Sequence, residues 1–185
     1  MRNFSGPTLT NRQRSFIIGT LLGGSSLVLP AKGKNCYLAM RDKNVEWIRY
    51  KATELYVIGS TSSFLYENNT CRWRSCCYSV LNEFQSMFYH DFKRQINKEC
   101  LDLLNELAIA IWIGDAGGID KGQVILNTKL WNQDALIQEY FHEIGLETKV
   151  GKNRLIFTHA SSVELMKMCC KYYPDWLLRA LPSVG

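Results

Sequence analysis

The chain has 185 residues, 46% of them hydrophobic and 21% charged, which is enough to bury a substantial core in one domain or two small ones and excludes a disordered or fibrous chain. The net charge is +5 and the pI is about 8.8, a balance that suits an anionic partner. The excess is uneven: residues 1–100 carry 14 basic and 7 acidic side chains, and residues 101–185 carry 8 and 10.

In chain order, Asn11 caps an apolar helix that runs to Leu22 and ends at Gly23 and Gly24. The apolar run over 16–30 is broken by Gly19, Gly23, Gly24, Ser25 and Ser26 and is shorter than the roughly 20 residues a bilayer crossing needs. No acid occurs in the first 41 residues, a composition shared with transit peptides, but the helix pattern there argues for folded structure. Residues 34–41 alternate as a strand, and Val45, Ile48, Ala52 and Leu55 mark one face of a helix. Extended segments near 64–66 and 72–78 flank the turn Glu67-Asn68-Asn69. A helix with Phe84, Met87, Phe88 and Phe92 on its apolar stripe follows. Residues 93–100 contain no Pro and no Gly-Ser tract, so they form a short ordered connector.

Beyond it the same order returns about 90 residues later. A helix is expected around 103–114, a strand over 123–129, and a helix from Asn132 to Gly145. Two strands flank the tight turn Gly151-Lys152-Asn153, and a helix over 163–172 ends before Pro174. The chain therefore divides into related halves, 1–97 and 98–185.

Seven cysteines, at 36, 71, 76, 77, 100, 169 and 170, include no Cys-x-x-Cys pair, and the only histidines are 90, 142 and 159. This is not zinc spacing; it fits reduced, packed thiols in an intracellular, non-secreted protein. His90 and His142 read as exposed or hydrogen-bonded residues rather than general bases. Period two puts Asn35, Tyr37 and Arg41 on one face of the first strand, opposite Leu38 and Met40, and Arg72 and Arg74 opposite Trp73. In the second half Gln123, Asn127 and Lys129 oppose Val124, Leu126 and Thr128, while Arg154 and Thr158 oppose Leu155 and Phe157. Arg, Lys, Asn and Gln on a strand face can read base edges and hold phosphates. Lys34 and Lys152 extend that basic surface.

Two stretches carry a family resemblance. FIIGTLLGGSSL at 16–27 is similar to the I-I-G-L-L-L-G-D-G-S-L of LAGLIDADG homing endonucleases, and LAIAIWIGDAGG at 107–118 resembles their A-L-A-I-W-F-M-D-D-G-S. The tail KYYPDWLLRALP at 171–182 resembles the family's closing P-Y-I-P-x-M-x-Y-K-L-P, with Ala180 at its Lys and Arg179 adjacent. The resemblance implies a single chain with two motif copies and an α/β fold of two pseudo-symmetric αββαββα halves, with antiparallel sheets forming a saddle. Gly19 and Gly23 against Ala108 and Trp112 would let the two motif helices approach closely.

The resemblance also implies an acid at the end of each motif, the pair holding divalent metal over a duplex. Here the first acid position is Gly24. The second is Ala116, or Gly117 in an alternative alignment, and Asp115 falls on the family's non-catalytic acid. Asp115 is thus the one catalytic candidate, and no metal site is assigned. The leading expectation is a nucleic-acid-binding pseudoenzyme with a degenerate cleavage centre, a pseudo-dimeric monomer acting on double-stranded DNA away from membranes. The alternatives are an active intron-encoded endonuclease using Mg²⁺, and an RNA-binding maturase or ribonucleoprotein component, in an organelle or elsewhere in the cell.

Overall fold

The computed structural model describes residues 6–59, 64–91 and 93–180. Helix α1 (Asn11–Leu22) starts at the expected cap residue itself, and its cap is Thr10, one residue earlier. Thr10 Oγ1 accepts from the Gln13 amide at 3.2 Å and Gln13 Oε1 accepts from the Thr10 amide at 3.0 Å, a capping box that displaces Asn11 from the role. There follow β1 (Ser26–Val28), β2 (Tyr37–Asp42), α2 (Val45–Glu54), a 3₁₀ turn at Tyr56–Ile58, β3 (Phe64–Glu67), β4 (Thr70–Arg74) and α3 (Val80–Phe88). Asn68 and Asn69, at φ 48° and 58°, make the two-residue turn between β3 and β4, as Asn tolerates the left-handed region. Phe92, expected on the stripe of α3, lies outside the described residues.

The expected connector is more structured than its composition suggests. β5 (Tyr89–His90) pairs with β6 (Lys93–Arg94), and α4 (Lys98–Asp102) follows. The helix expected over 103–114 therefore starts later, separate from α4, because Asn105 caps it by accepting from the Ala108 amide at 2.9 Å. That helix is α5 (Glu106–Ala116), followed by β7 (Gly117–Asp120), β8 (Gln123–Asn127), α6 (Asp134–Glu143), β9 (Thr148–Gly151), β10 (Arg154–Phe157), α7 (His159–Cys170) and α8 (Asp175–Ala180).

The strands make two four-stranded antiparallel sheets of the same order, β1-β2-β4-β3 and β7-β8-β10-β9. β1 and β7, the first strand after each motif helix, complete that order. Each sheet buries one face. Leu38, Met40, Cys71 and Trp73 line the first, and Val124, Leu126, Leu155 and Phe157 the second. Phe141 of α6 joins the second core, with ring centroids 4.9 Å from Phe157 and 5.8 Å from Trp112. Trp112 thus fills the second half's own core beside Phe141.

α1 and α5 form the spine between the sheets. They are buried from Phe16 to Leu22 and from Leu107 to Ile113, the all-round apolarity of helices enclosed by other elements. They lie parallel: Asn105 Nδ2 donates to Ser15 Oγ at 2.8 Å at the start, and Gly23 meets Asp115 at the end. A Cβ on Gly19 would stand 2.4 Å from the Ala108 carbonyl oxygen and 2.8 Å from Ile111 Cβ. Only glycine permits that approach. No helix among the described residues is long and apolar enough to cross a membrane.

Candidate nucleic-acid interface

The parallel packing brings the C-terminal ends of α1 and α5 to one cleft, lined by Leu22, Gly23, Gly24, Asp115, Ala116, Gly117, Asn127, Lys129 and Leu130. Gly24 is shared with the hollow over the first sheet, which Tyr37, Arg41, Phe64, Leu65, Arg72 and Arg74 also line. Ala116, Gly117, Asn127 and Lys129 are shared with the hollow over the second, where Ile125, Lys152 and Arg154 lie. One continuous surface thus runs from the first sheet across the motif ends to the second.

The two helix ends differ. α1 stops at Leu22; Gly23 is still right-handed, and Gly24 turns to φ 120°. A Cβ on Gly24 would meet no atom within 4 Å, yet its backbone conformation is one L residues rarely adopt. α5 stays helical through Asp115 and Ala116 and ends in an extended Gly117. Position 24 therefore has room for a carboxylate but carries none, and position 116 is a methyl group.

Asp115 does not face the open cleft with a free carboxylate. Its Oδ1 accepts from Lys51 Nζ and from Trp47 Nε1, each at 2.5 Å. The side chains of Lys51 and Asp115 are only 2% and 6% exposed. Burial pushes the Asp115 carboxyl up, against the opposing pull of Lys51 and Trp47. With an ammonium already on one oxygen and no other carboxylate, imidazole or thiolate grouped with it, the donor set does not fit a divalent ion. Among the described residues no three His, Cys, Asp or Glu side chains are grouped to hold one.

Neither Lys51 nor Trp47 belongs to the expected site, although Lys51 falls inside the apolar stripe of Ile48, Ala52 and Leu55. A lone charge on a buried face was the available signal. Arg94 was equally unanticipated. From the β5–β6 hairpin its guanidinium donates to the Ser25 carbonyl and to Ser26 Oγ, and packs 5.6 Å from the Tyr89 ring and 5.9 Å from Trp131. It pins the backbone directly after Gly24. Trp131 Nε1 donates to the Leu22 carbonyl at 3.0 Å, tying the second half to the end of α1.

The expected binding residues separate into three groups. Tyr37, Arg41, Arg72 and Arg74 share the outer face of the first sheet, where Arg41 pairs in register with Arg72. Asn127 pairs in register with Arg154 on the second, with Lys129 just beyond β8 and Lys152 in the β9–β10 turn, all four exposed. Gln123 shares that face, but its Nε2 donates to the Phe157 carbonyl at 2.9 Å. Three residues depart from the expectation. Thr158 caps α7, its Oγ1 accepting from the Ser161 amide at 3.3 Å, so it leaves the strand face to satisfy a helix end. Lys34 and Asn35 precede β2, held by Asn82 Nδ2, which donates to the Lys34 carbonyl and to Asn35 Oδ1. His90 is exposed, and His142 Nε2 accepts from the Thr148 amide at 3.1 Å.

A family model for the LAGLIDADG DNA endonuclease family matches residues 14–167. Protein RecA of Mycolicibacterium flavescens is 25% identical over 201 residues, covering 94% of this chain and 47% of that protein, so the chain spans about half the length of that relative. The fold is similar to the homing endonuclease I-WcaI bound to its DNA recognition sequence, with a TM-score of 0.81 and 18% identity over 95% of this chain and 88% of that one. It is also similar to I-DmoI in complex with DNA and Mn, with a TM-score of 0.60 and 11% identity over 89% and 99%.

Proposed function

Since the chain belongs to the LAGLIDADG DNA endonuclease family, we propose that it binds double-stranded DNA across its two sheets as a monomer and does not cut it. The continuous polar surface joining the sheets carries this reading. Arg41, Arg72, Arg74, Lys129, Lys152 and Arg154 supply cations on both sides of the motif ends. A curved antiparallel sheet can enter a major groove, where these side chains meet base edges and phosphates.

Absence of chemistry follows from the ends of α1 and α5. Cleavage by a metal pair needs carboxylates converging on the scissile phosphate. Gly24 and Ala116 present none, and Asp115 is neutralised by Lys51. What these residues do instead is join the halves: Asp115 fills the space beside Gly23 and satisfies Lys51 and Trp47. Any Mg²⁺ dependence would have to return with new carboxylates at 24 and 116, and at 24 the φ of 120° adds strain to that restoration.

Titrating the full chain into labelled duplex DNA at increasing salt tests the reading. Affinity should fall steeply with salt, because each neutralised phosphate releases counterions. Affinity that is flat in salt, or strong preference for a matched structured RNA over the duplex, would overturn it.

A further inference from the structure

The two sheets present unlike chemistry at equivalent places. Gly24 and Ala116 are equivalent motif positions, so Ser26 in β1 corresponds to Gly118 in β7. Ser26 pairs with Ala39 and Gly118 with Ile125. From there the correspondence runs across both sheets. The rank nearest the motif ends is Arg41 with Arg72 in the first and Asn127 with Arg154 in the second. The next rank outward is Ala39 with Arg74 in the first and Ile125 with Ile156 in the second.

The side chains are also in different states. Among the described residues neither Arg41 nor Arg74 has an ion-pair partner, and Arg72 makes only an exposed contact with Glu67 at 3.1 Å. Three guanidiniums therefore crowd the first face. On the second, Ile125 and Ile156 lie side by side on the solvent face, half-buried, with Lys149 in register beside Ile156. An apolar cross-strand pair on the outer face adds nothing to the core beneath, which Val124, Leu126, Leu155 and Phe157 already fill.

We infer that the two sheets read half-sites of opposite composition: guanines under the first sheet, and A·T pairs with thymine methyls against Ile125 and Ile156 under the second. This rests on the duplex-DNA reading above. Guanine offers O6 and N7 to a guanidinium fork; the Asn127 amide oxygen already accepts from the Lys129 amide at 3.0 Å, so the reading of the second half rests on Ile125 and Ile156. Isoleucine has no hydrogen bond to give. Against a G·C edge it would bury acceptors and an amino group unpaired, whereas against thymine it covers the C5 methyl.

Selection of bound sites from a random duplex pool by the full chain should yield a consensus with one guanine-rich and one A·T-rich half. Arg74→Ala should relax only the guanine-rich half. Replacing the thymines of the A·T-rich half by deoxyuridine removes methyl groups and nothing else. Each should weaken binding about threefold to fourfold, while the same replacement in the other half leaves affinity unchanged. A consensus of equal composition in both halves, or a duplex indifferent to deoxyuridine, would overturn the inference while leaving DNA binding intact. Failure to retain any duplex from the pool would instead overturn the duplex-DNA reading and this inference with it.

Discussion

The two halves share a strand order but use the end of the motif helix in opposite ways. In the first, α1 stops early and two glycines leave a gap. In the second, α5 continues, and its Asp115 occupies the space beside Gly23 and reaches Lys51 and Trp47 of the first half. A place where the family resemblance implies two matched acids holds one buried ion pair instead. The acidic residue present is the one with a packing role, so helix packing and charge pairing hold this junction together without a catalytic pair.

The largest effect should come from leaving that pair half-made. Lys51→Met strands Asp115 without its cation and should cost about 3–5 kcal/mol in urea unfolding. Adding Asp115→Asn should recover much of it. The exposed Arg14–Glu83 contact at 3.0 Å is the control, and Arg14→Met should cost less than about 1 kcal/mol. Equal effects at the two sites would mean that the buried pair does not join the halves as described.

A second contrast sets a glycine of the spine against an open one. Gly19→Val drives a side chain into the Ala108 carbonyl and should destabilise by about 1–3 kcal/mol. A Cβ at Gly118 meets no atom within 4 Å, so Gly118→Ala should stay within about 0.5 kcal/mol. Thermal unfolding of both variants measures the difference. A third contrast sets the sheets against each other in binding. Arg72→Ala with Arg74→Ala should lower duplex affinity by more than about tenfold, and Arg154→Ala alone by about tenfold or less. Unchanged affinity in the double variant would remove those residues from the interface. The smallest effect is expected from Lys129→Ala, which should reduce the slope of log affinity against log salt by about 0.9 if it holds one phosphate.

Much of this was legible in the residues. Gly19 and Gly23 announce a close helix contact, Asn68-Asn69 announces a hairpin, and Arg72, Trp73 and Arg74 alternate as a half-buried strand must. Periodicity misled where tertiary partners decide. Thr158 continues the alternation of β10 but is taken by the start of α7, and Asn35 continues that of β2 but is taken by Asn82. The ion pair was the hardest to read, because Lys51 and Asp115 are 64 residues apart and only the tertiary fold brings the side chains of α2 to the end of α5. Asp115 could be read as an acid off the catalytic register; its partner could not be named.

The account is tested most directly by offering the full chain its selected duplex in Mg²⁺ and following both binding and strand scission. It predicts that the DNA is retained and recovered intact, with Asp115→Asn leaving the duplex equally uncut. Mg²⁺-dependent double-strand cutting by the unaltered chain would contradict it, and loss of that cutting in an Asp115→Asn variant that still folds and retains the duplex would make Asp115 a catalytic residue.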